Sequence, residues 1–157
     1  MKQGIEWLLE AVETAAQTGF KDNGEYWRAT YTKEDAKVLK FLKKSMEEAG
    51  MTTYFDNIGN LFGRIEGKTD EVFMAGSHRD TVRQGGKYDG ILGVLTAIRS
   101  VGDLYKEYGQ PEKTVEVVAT CEEESSRFNL NYVGSRYMCG YVKEDELKEK
   151  DSEGISF

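Results

Sequence analysis

The chain has 157 residues, with 21 Lys and Arg against 28 Asp and Glu for a formal net charge of -7, two Cys and a single His. That length suits one globular domain or part of a larger one, and the acidic balance removes the attraction to phosphate on which nucleic-acid binding depends. Two cysteines are too few for a disulfide framework and point to a reduced, cytoplasmic setting; one imidazole excludes multi-histidine zinc sites, so any metal site here is carboxylate-rich or incomplete.

Glu6, Glu10 and Glu13 interrupt the apolar pattern of the first twenty residues, which therefore read as neither a signal-peptide core nor a membrane span. Ile5, Leu8, Leu9, Val12 and Ala16 recur at helical spacing, predicting a helix over about residues 3–17 that Gly19 stops. Thr32 is placed to cap a second helix, with Ala36, Leu39, Leu42, Met46 and Ala49 on its apolar face and Gly50 at its end. After Gly50 the period shortens. Residues 52–56 and 61–65 read as two strands of a hairpin around Ile58-Gly59-Asn60.

Residues 72–75 and 114–120 read as two more strands, separated by a broad helical face from Ile91 to Tyr108 that Gly109 closes. Strand, helix, strand is a βαβ unit, so the expected fold is α/β with a mixed sheet and flanking helices. In such sheets ligands bind just beyond the carboxyl ends of parallel strands. Both chemically dense segments, 76–90 and 122–128, follow those ends.

The first segment, GSHRDTVRQGGKYDG, is long for a strand-to-helix connection. His78 is a good ligand for a divalent cation, Asp80 is placed to hydrogen-bond the ring's other nitrogen, and Asp89 has the short carboxylate suited to bridging two cations. The plainer alternatives are that His78 is one more loop histidine and that Asp89 caps the helix beginning near Ile91. The second segment, CEEESSRF, places Glu122, Glu123 and Glu124 at the end of an apolar strand, where an acidic run could equally be a solvated face. Position favours a metal-dependent hydrolase, because both segments lie at the ends of one βαβ unit. Phosphate binding by Gly85 and Gly86 is disfavoured, since the order of Gly, Lys and hydroxyl residues of a P-loop is absent.

The strings GSHRDTV, GGKYDGILGVL, TVEVVATCEEESSRF and NYVGSRYMCG, together with IGNLFGRIEG, resemble the dinuclear-metal amidohydrolases of the M20 peptidase superfamily. The similar branch is that of allantoate amidohydrolases and N-carbamoyl-L-amino-acid hydrolases, and LYKEYGQPEKTVEVVATCEEE looks more like the former. The resemblance implies that His78 and Glu124 are metal ligands, that Asp89 bridges two divalent cations (Zn or Mn), that Asp80 orients His78, and that Glu123 is the general base. It implies hydrolysis of a ureido or carbamoyl C–N bond in a small-molecule substrate, as in purine catabolism, by a homodimeric enzyme that binds neither nucleic acid nor membrane. It further implies a cis peptide between Asp89 and Gly90.

Two departures matter. Ser125 stands where the family usually carries Gly in EEEGSRF. Family members also take two further histidines, and a lid domain for dimer contacts, from sequence this chain does not contain. Residues 1–157 are thus expected to be an incomplete, amino-terminal part of the catalytic domain, inert by itself and holding metal weakly. A non-catalytic binding or assembly module derived from the same fold is the alternative of another class.

Overall fold

The computed structural model describes residues 4–157, so the predicted helix start at residue 3 lies outside the described residues. Helix α1 spans Gly4–Gln17, but its packed face is rotated from the expected one: Ile5 and Leu9 are 65% and 57% exposed, while Ala11, Val12, Ala15 and Ala16 are buried. A 3.6-residue period places a stripe only to within one position, and here the small alanines, which permit close approach, face the core. Helix α2, Lys33–Glu48, begins as predicted, with the Thr32 hydroxyl accepting from the Asp35 amide at 3.3 Å. It buries Asp35, Val38, Leu42, Ser45 and Met46, whereas Ala36 faces solvent.

Strands β1 (Thr52–Phe55) and β2 (Leu61–Ile65) form the expected antiparallel hairpin, with Thr52 opposite Arg64 and Phe55 opposite Leu61. Its turn is held by the Asp56 carboxylate, which accepts from the amides of Ile58 and Asn60. Strand β3 is longer than predicted, Thr69–His78, so His78 is the last residue of a strand rather than part of a loop. Helix α3 (Ile91–Tyr108) then crosses to β4 (Lys113–Thr120), which pairs parallel to β3 with His78 beside Thr120. A short helix α4, Val133–Met138, follows. The sheet order is β1-β2-β4-β3, mixed as expected, with β3 at an edge.

The main core lies on one face of this sheet, where Leu61, Ile65, Val117 and Ala119 meet Val12, Leu42, Met46, Ile91, Leu95 and Ile98 from the three long helices. A second cluster of Ile58, Cys121 and Val133 gathers Leu147 and Phe157 from the carboxyl-terminal segment. Among the described residues no helix is long and apolar enough to cross a membrane.

A buried ion pair anchors the chain just beyond β3. The Arg79 guanidinium spans both carboxylate oxygens of Asp35 at 2.7 and 3.1 Å, and both side chains are almost wholly buried. Bidentate geometry supplies the attraction that offsets their desolvation. Arg28 continues the lock: its Nε donates to the Arg79 carbonyl at 2.6 Å, while its amide donates to the Thr81 hydroxyl at 3.0 Å. Residues 79–81 are thereby held from both sides before the connection to α3 turns toward solvent.

Candidate metal centre

His78, at the carboxyl end of β3, is the hub of the site. Its Nε2 lies 3.5 Å from Asp89 Oδ1 and 3.8 Å from Glu123 Oε2, and its side chain is only 12% exposed. Ligand atoms of His78, Asp89 and Glu124 all fall within 4.8 Å of one another. The two loops that carry them come together because β3 and β4 are neighbours in register, which brings residues after position 78 beside residues after position 120.

The ring's other nitrogen contacts Asp80, but not in the manner expected. His78 Nδ1 is 3.1 Å from the Asp80 carbonyl oxygen and 3.9 Å from its carboxylate. A carbonyl only accepts, so in the neutral ring Nδ1 carries the proton and the Nε2 lone pair points toward Asp89 and Glu123. The carboxylate of Asp80 is instead fully buried and accepts the amides of Glu123, at 3.0 and 3.2 Å, and of Glu124, at 3.1 Å. The reason is steric: a side chain two residues beyond a strand end reaches across to the neighbouring strand's exit more readily than it folds back on the ring.

Asp89 does not cap α3. The residue at the helix start is Gly90, with no side-chain cap, and the Asp89 carboxylate stays 68% exposed beside the His78 ring. Nor is the Asp89–Gly90 peptide cis, since the described residues contain no cis peptide bond. The turn is made instead by a left-handed φ of 66° at Gly90. Any Cβ there would sit 2.5 Å from two atoms of the His78 ring, so only glycine lets the chain pass this close to the imidazole.

The acidic run divides between interior and site. Glu122 is wholly buried, and Glu123 and Glu124 are partly exposed. Burial raises the carboxyl pKa of Glu124 above its ordinary value; His78 opposes that rise, while the neighbouring Asp89, Glu123 and Asp80 add to it. Among the described residues no lysine or arginine forms an ion pair with Asp89, Glu123 or Glu124, and Asp89 and Glu123 lie against His78. Three carboxylates, of Asp89, Glu123 and Glu124, crowded about one imidazole without a lysine or arginine partner form a donor set that suits a divalent metal ion. The cluster borders an open cleft of about 440 Å³ lined by Met74, Ser77, His78, Thr120, Glu123 and Ser135.

Sequence reasoning assigned no role to Glu122 or Gly90. The sequence offers one signal for Gly90, a glycine directly between Asp89 and the apolar start of the helix at Ile91; none distinguishes Glu122 from the two glutamates that follow it.

The chain is similar to known proteins along nearly its whole length. The chain is 45% identical over 155 residues to the allantoate amidohydrolase of Bacillus subtilis (97% of this chain, 36% of that protein). It is 44% identical over 153 residues to the N-carbamoyl-L-amino-acid amidohydrolase of a Pseudomonas species (96% and 37%). A crystal structure of a hydantoinase/carbamoylase family amidase from Burkholderia ambifaria superposes with a TM-score of 0.89 at 31% identity, covering 98% of this chain and 38% of that one. The chain thus spans little more than a third of the length of the relatives it matches. Residues 65–155, more than half of the chain, match the model of peptidase family M20/M25/M40, and the chain belongs to that family.

Proposed function

We propose that this chain is the part of a metal-dependent amidohydrolase that carries the first cation ligands and the general base, and that the enzyme cleaves a ureido C–N bond, with allantoate as its substrate. The observation that carries the reading is the convergence of His78, Asp89 and Glu124 ligand atoms within 4.8 Å, with Glu123 Oε2 3.8 Å from His78 Nε2. His78 and Asp89 would hold one divalent cation, zinc or manganese, and Asp89 and Glu124 the other. Such cations polarise a scissile carbonyl and lower the pKa of a bound water. Asp80 fixes the tautomer of His78 through its carbonyl and holds the Glu123 and Glu124 amides through its carboxylate. Glu123 takes the proton of the attacking water and returns it to the leaving nitrogen, which is general base and then general acid work by one carboxylate. Ammonia and carbon dioxide follow from the released carbamate.

An N-carbamoyl-L-amino acid is the second reading, favoured by the near-equal identity to the Pseudomonas relative. It requires the same attack on the same ureido carbonyl. Three protein ligands shared between two cations leave each ion with two, where a catalytic zinc site ordinarily has three. The 157-residue chain by itself is therefore expected to hold metal weakly and to be inert, its remaining donors and its dimer contacts coming from further polypeptide.

A chimera tests the proposal: this chain replaces the matching third of the Bacillus subtilis relative, and ammonia release is assayed with allantoate and with N-carbamoyl amino acids. Turnover that Glu123→Gln abolishes is expected. A folded, manganese-loaded chimera inactive on both substrates would overturn the proposal, and Glu123→Gln-sensitive turnover by the 157-residue chain alone would overturn its expected inertness.

A further inference from the structure

Glu122 is the one member of the acidic run that faces away from the cluster, and its surroundings are those of a clasp. Its side chain is 0% exposed. Carboxylate Oε1 accepts the amides of Arg127 at 3.3 Å and Phe128 at 3.0 Å, five and six residues further along the same loop. Its own amide donates to the Thr30 hydroxyl at 3.0 Å, and its carbonyl accepts the Val133 amide at the start of α4. The second oxygen, Oε2, has no partner among the described residues. A buried polar atom left unpaired is unusual enough to require a reason.

The loop it closes is under backbone strain. Glu122 and Ser125 both adopt left-handed φ values, 47° and 52°, a conformation that residues with a side chain avoid. Such conformations persist only where the surroundings enforce them. Here Asp80 takes the amides of Glu123 and Glu124 from one side, and Glu122 takes those of Arg127 and Phe128 from the other. Two carboxylates thus occupy four successive or near-successive amides and leave the Glu123 and Glu124 side chains directed at His78 and Asp89.

We propose that Glu122 is a positioning residue, whose carboxylate ties residues 122–128 into a closed ring and so sets the geometry in which Glu123 and Glu124 meet His78 and Asp89. The proposal rests on the reading of that cluster as a metal centre. The function it assigns is acceptance by Oε1, so a variant that keeps the acceptor and loses the charge preserves the ring.

The test compares Glu122→Ala and Glu122→Gln in the 157-residue chain by amide hydrogen exchange and by Co(II) titration followed by absorbance. In Glu122→Ala, exchange at the amides of residues 123, 124, 127 and 128 is expected to rise by roughly tenfold or more while α3 and β4 keep their protection, because local opening is separable from global unfolding. Co(II) affinity is expected to fall by roughly 10- to 100-fold, as when a group supporting a metal ligand is removed. Glu122→Gln should restore both readouts to within about threefold of the unsubstituted chain. Unchanged exchange in Glu122→Ala, or an equal loss of protection in α3 and β4, overturns the proposal, the second by showing a general structural role. Should Glu122→Ala fail to fold, Glu122→Asp, whose carboxylate stops one methylene short, takes its place with the same expectations. If the unsubstituted chain takes up no Co(II), the exchange result alone decides whether Glu122 holds the ring, and the metal reading is decided separately by the chimera.

Discussion

The buried carboxylate of Asp80 accepts the backbone amide of Glu123 through both of its oxygens, at 3.0 and 3.2 Å, and so ties the exit of β3 to the exit of β4. The same carboxylate reaches the Glu124 amide at 3.1 Å. Asp80→Asn turns an amide donor toward backbone donors and is expected to destabilise the chain by about 1–3 kcal/mol, the range for losing a charged buried acceptor. It should also weaken Co(II) binding by roughly 10- to 100-fold. Urea unfolding and titration of the purified variant check both, and wild-type metal affinity in Asp80→Asn would show that the link is dispensable.

Ser125 adopts φ 52°, where a side chain is penalised and glycine is not. Ser125→Gly is therefore expected to stabilise the chain by about 1 kcal/mol, the left-handed penalty less the added freedom of an unfolded glycine. An unchanged or lowered urea midpoint would contradict the strain assigned to this position, and Ser125→Ala, which keeps the Cβ, is the control.

The Arg79–Asp35 pair is inaccessible to water, so removing one partner leaves a bare charge inside the protein. Asp35→Ala is expected to destabilise by about 3–5 kcal/mol. Tyr31 loses its amide acceptor in the same variant, since the Asp35 carboxylate also takes that N–H at 2.9 Å. A thermal melt showing less than about 1 kcal/mol of change would mean that solvent reaches the pair.

Cys139 is exposed, and Cys121 is fully buried with its thiol donating to the Ile58 carbonyl at 3.2 Å. At pH 8 a thiol reagent should label Cys139 at once and Cys121 only on unfolding. Burial pushes the Cys121 thiol up from 9.0 to about 11. A thiol with a raised folded pKa favours folding fully below pH 9 and loses that contribution as pH climbs to about 11. The loss is of the order of 2–3 kcal/mol. Cys121→Ala should remove this alkaline slope, measured by urea unfolding at pH 8, 9, 10 and 11; an identical slope in the variant would place its origin elsewhere.

Much of the architecture is legible along the chain because it is encoded between near neighbours. The Thr32 cap is a contact across three residues, the hairpin turn is set by Asp56 and Asn60 four apart, and the run from Ile91 to Tyr108 carries its helical period internally. The βαβ unit then follows, and with it the expectation that residues after positions 78 and 120 face one another.

Other features needed the folded chain. The orientation of α1 was decided by which neighbours it meets: period alone allows the apolar face to turn by one position, and the alanines won over Ile5 and Leu9. The partner of His78 Nδ1 was decided by the distance between a strand end and its neighbour's exit, which gave the ring a carbonyl and sent the Asp80 carboxylate across to residues 43 and 44 positions away. The inward turn of Glu122 was decided by the loop closing on Thr30 and on the amides of Arg127 and Phe128. Residue types and periods specify which chemistry a segment can offer, because those are local properties. Which atom of each residue faces the site depends on contacts between segments far apart in sequence, and only packing in three dimensions brings those together.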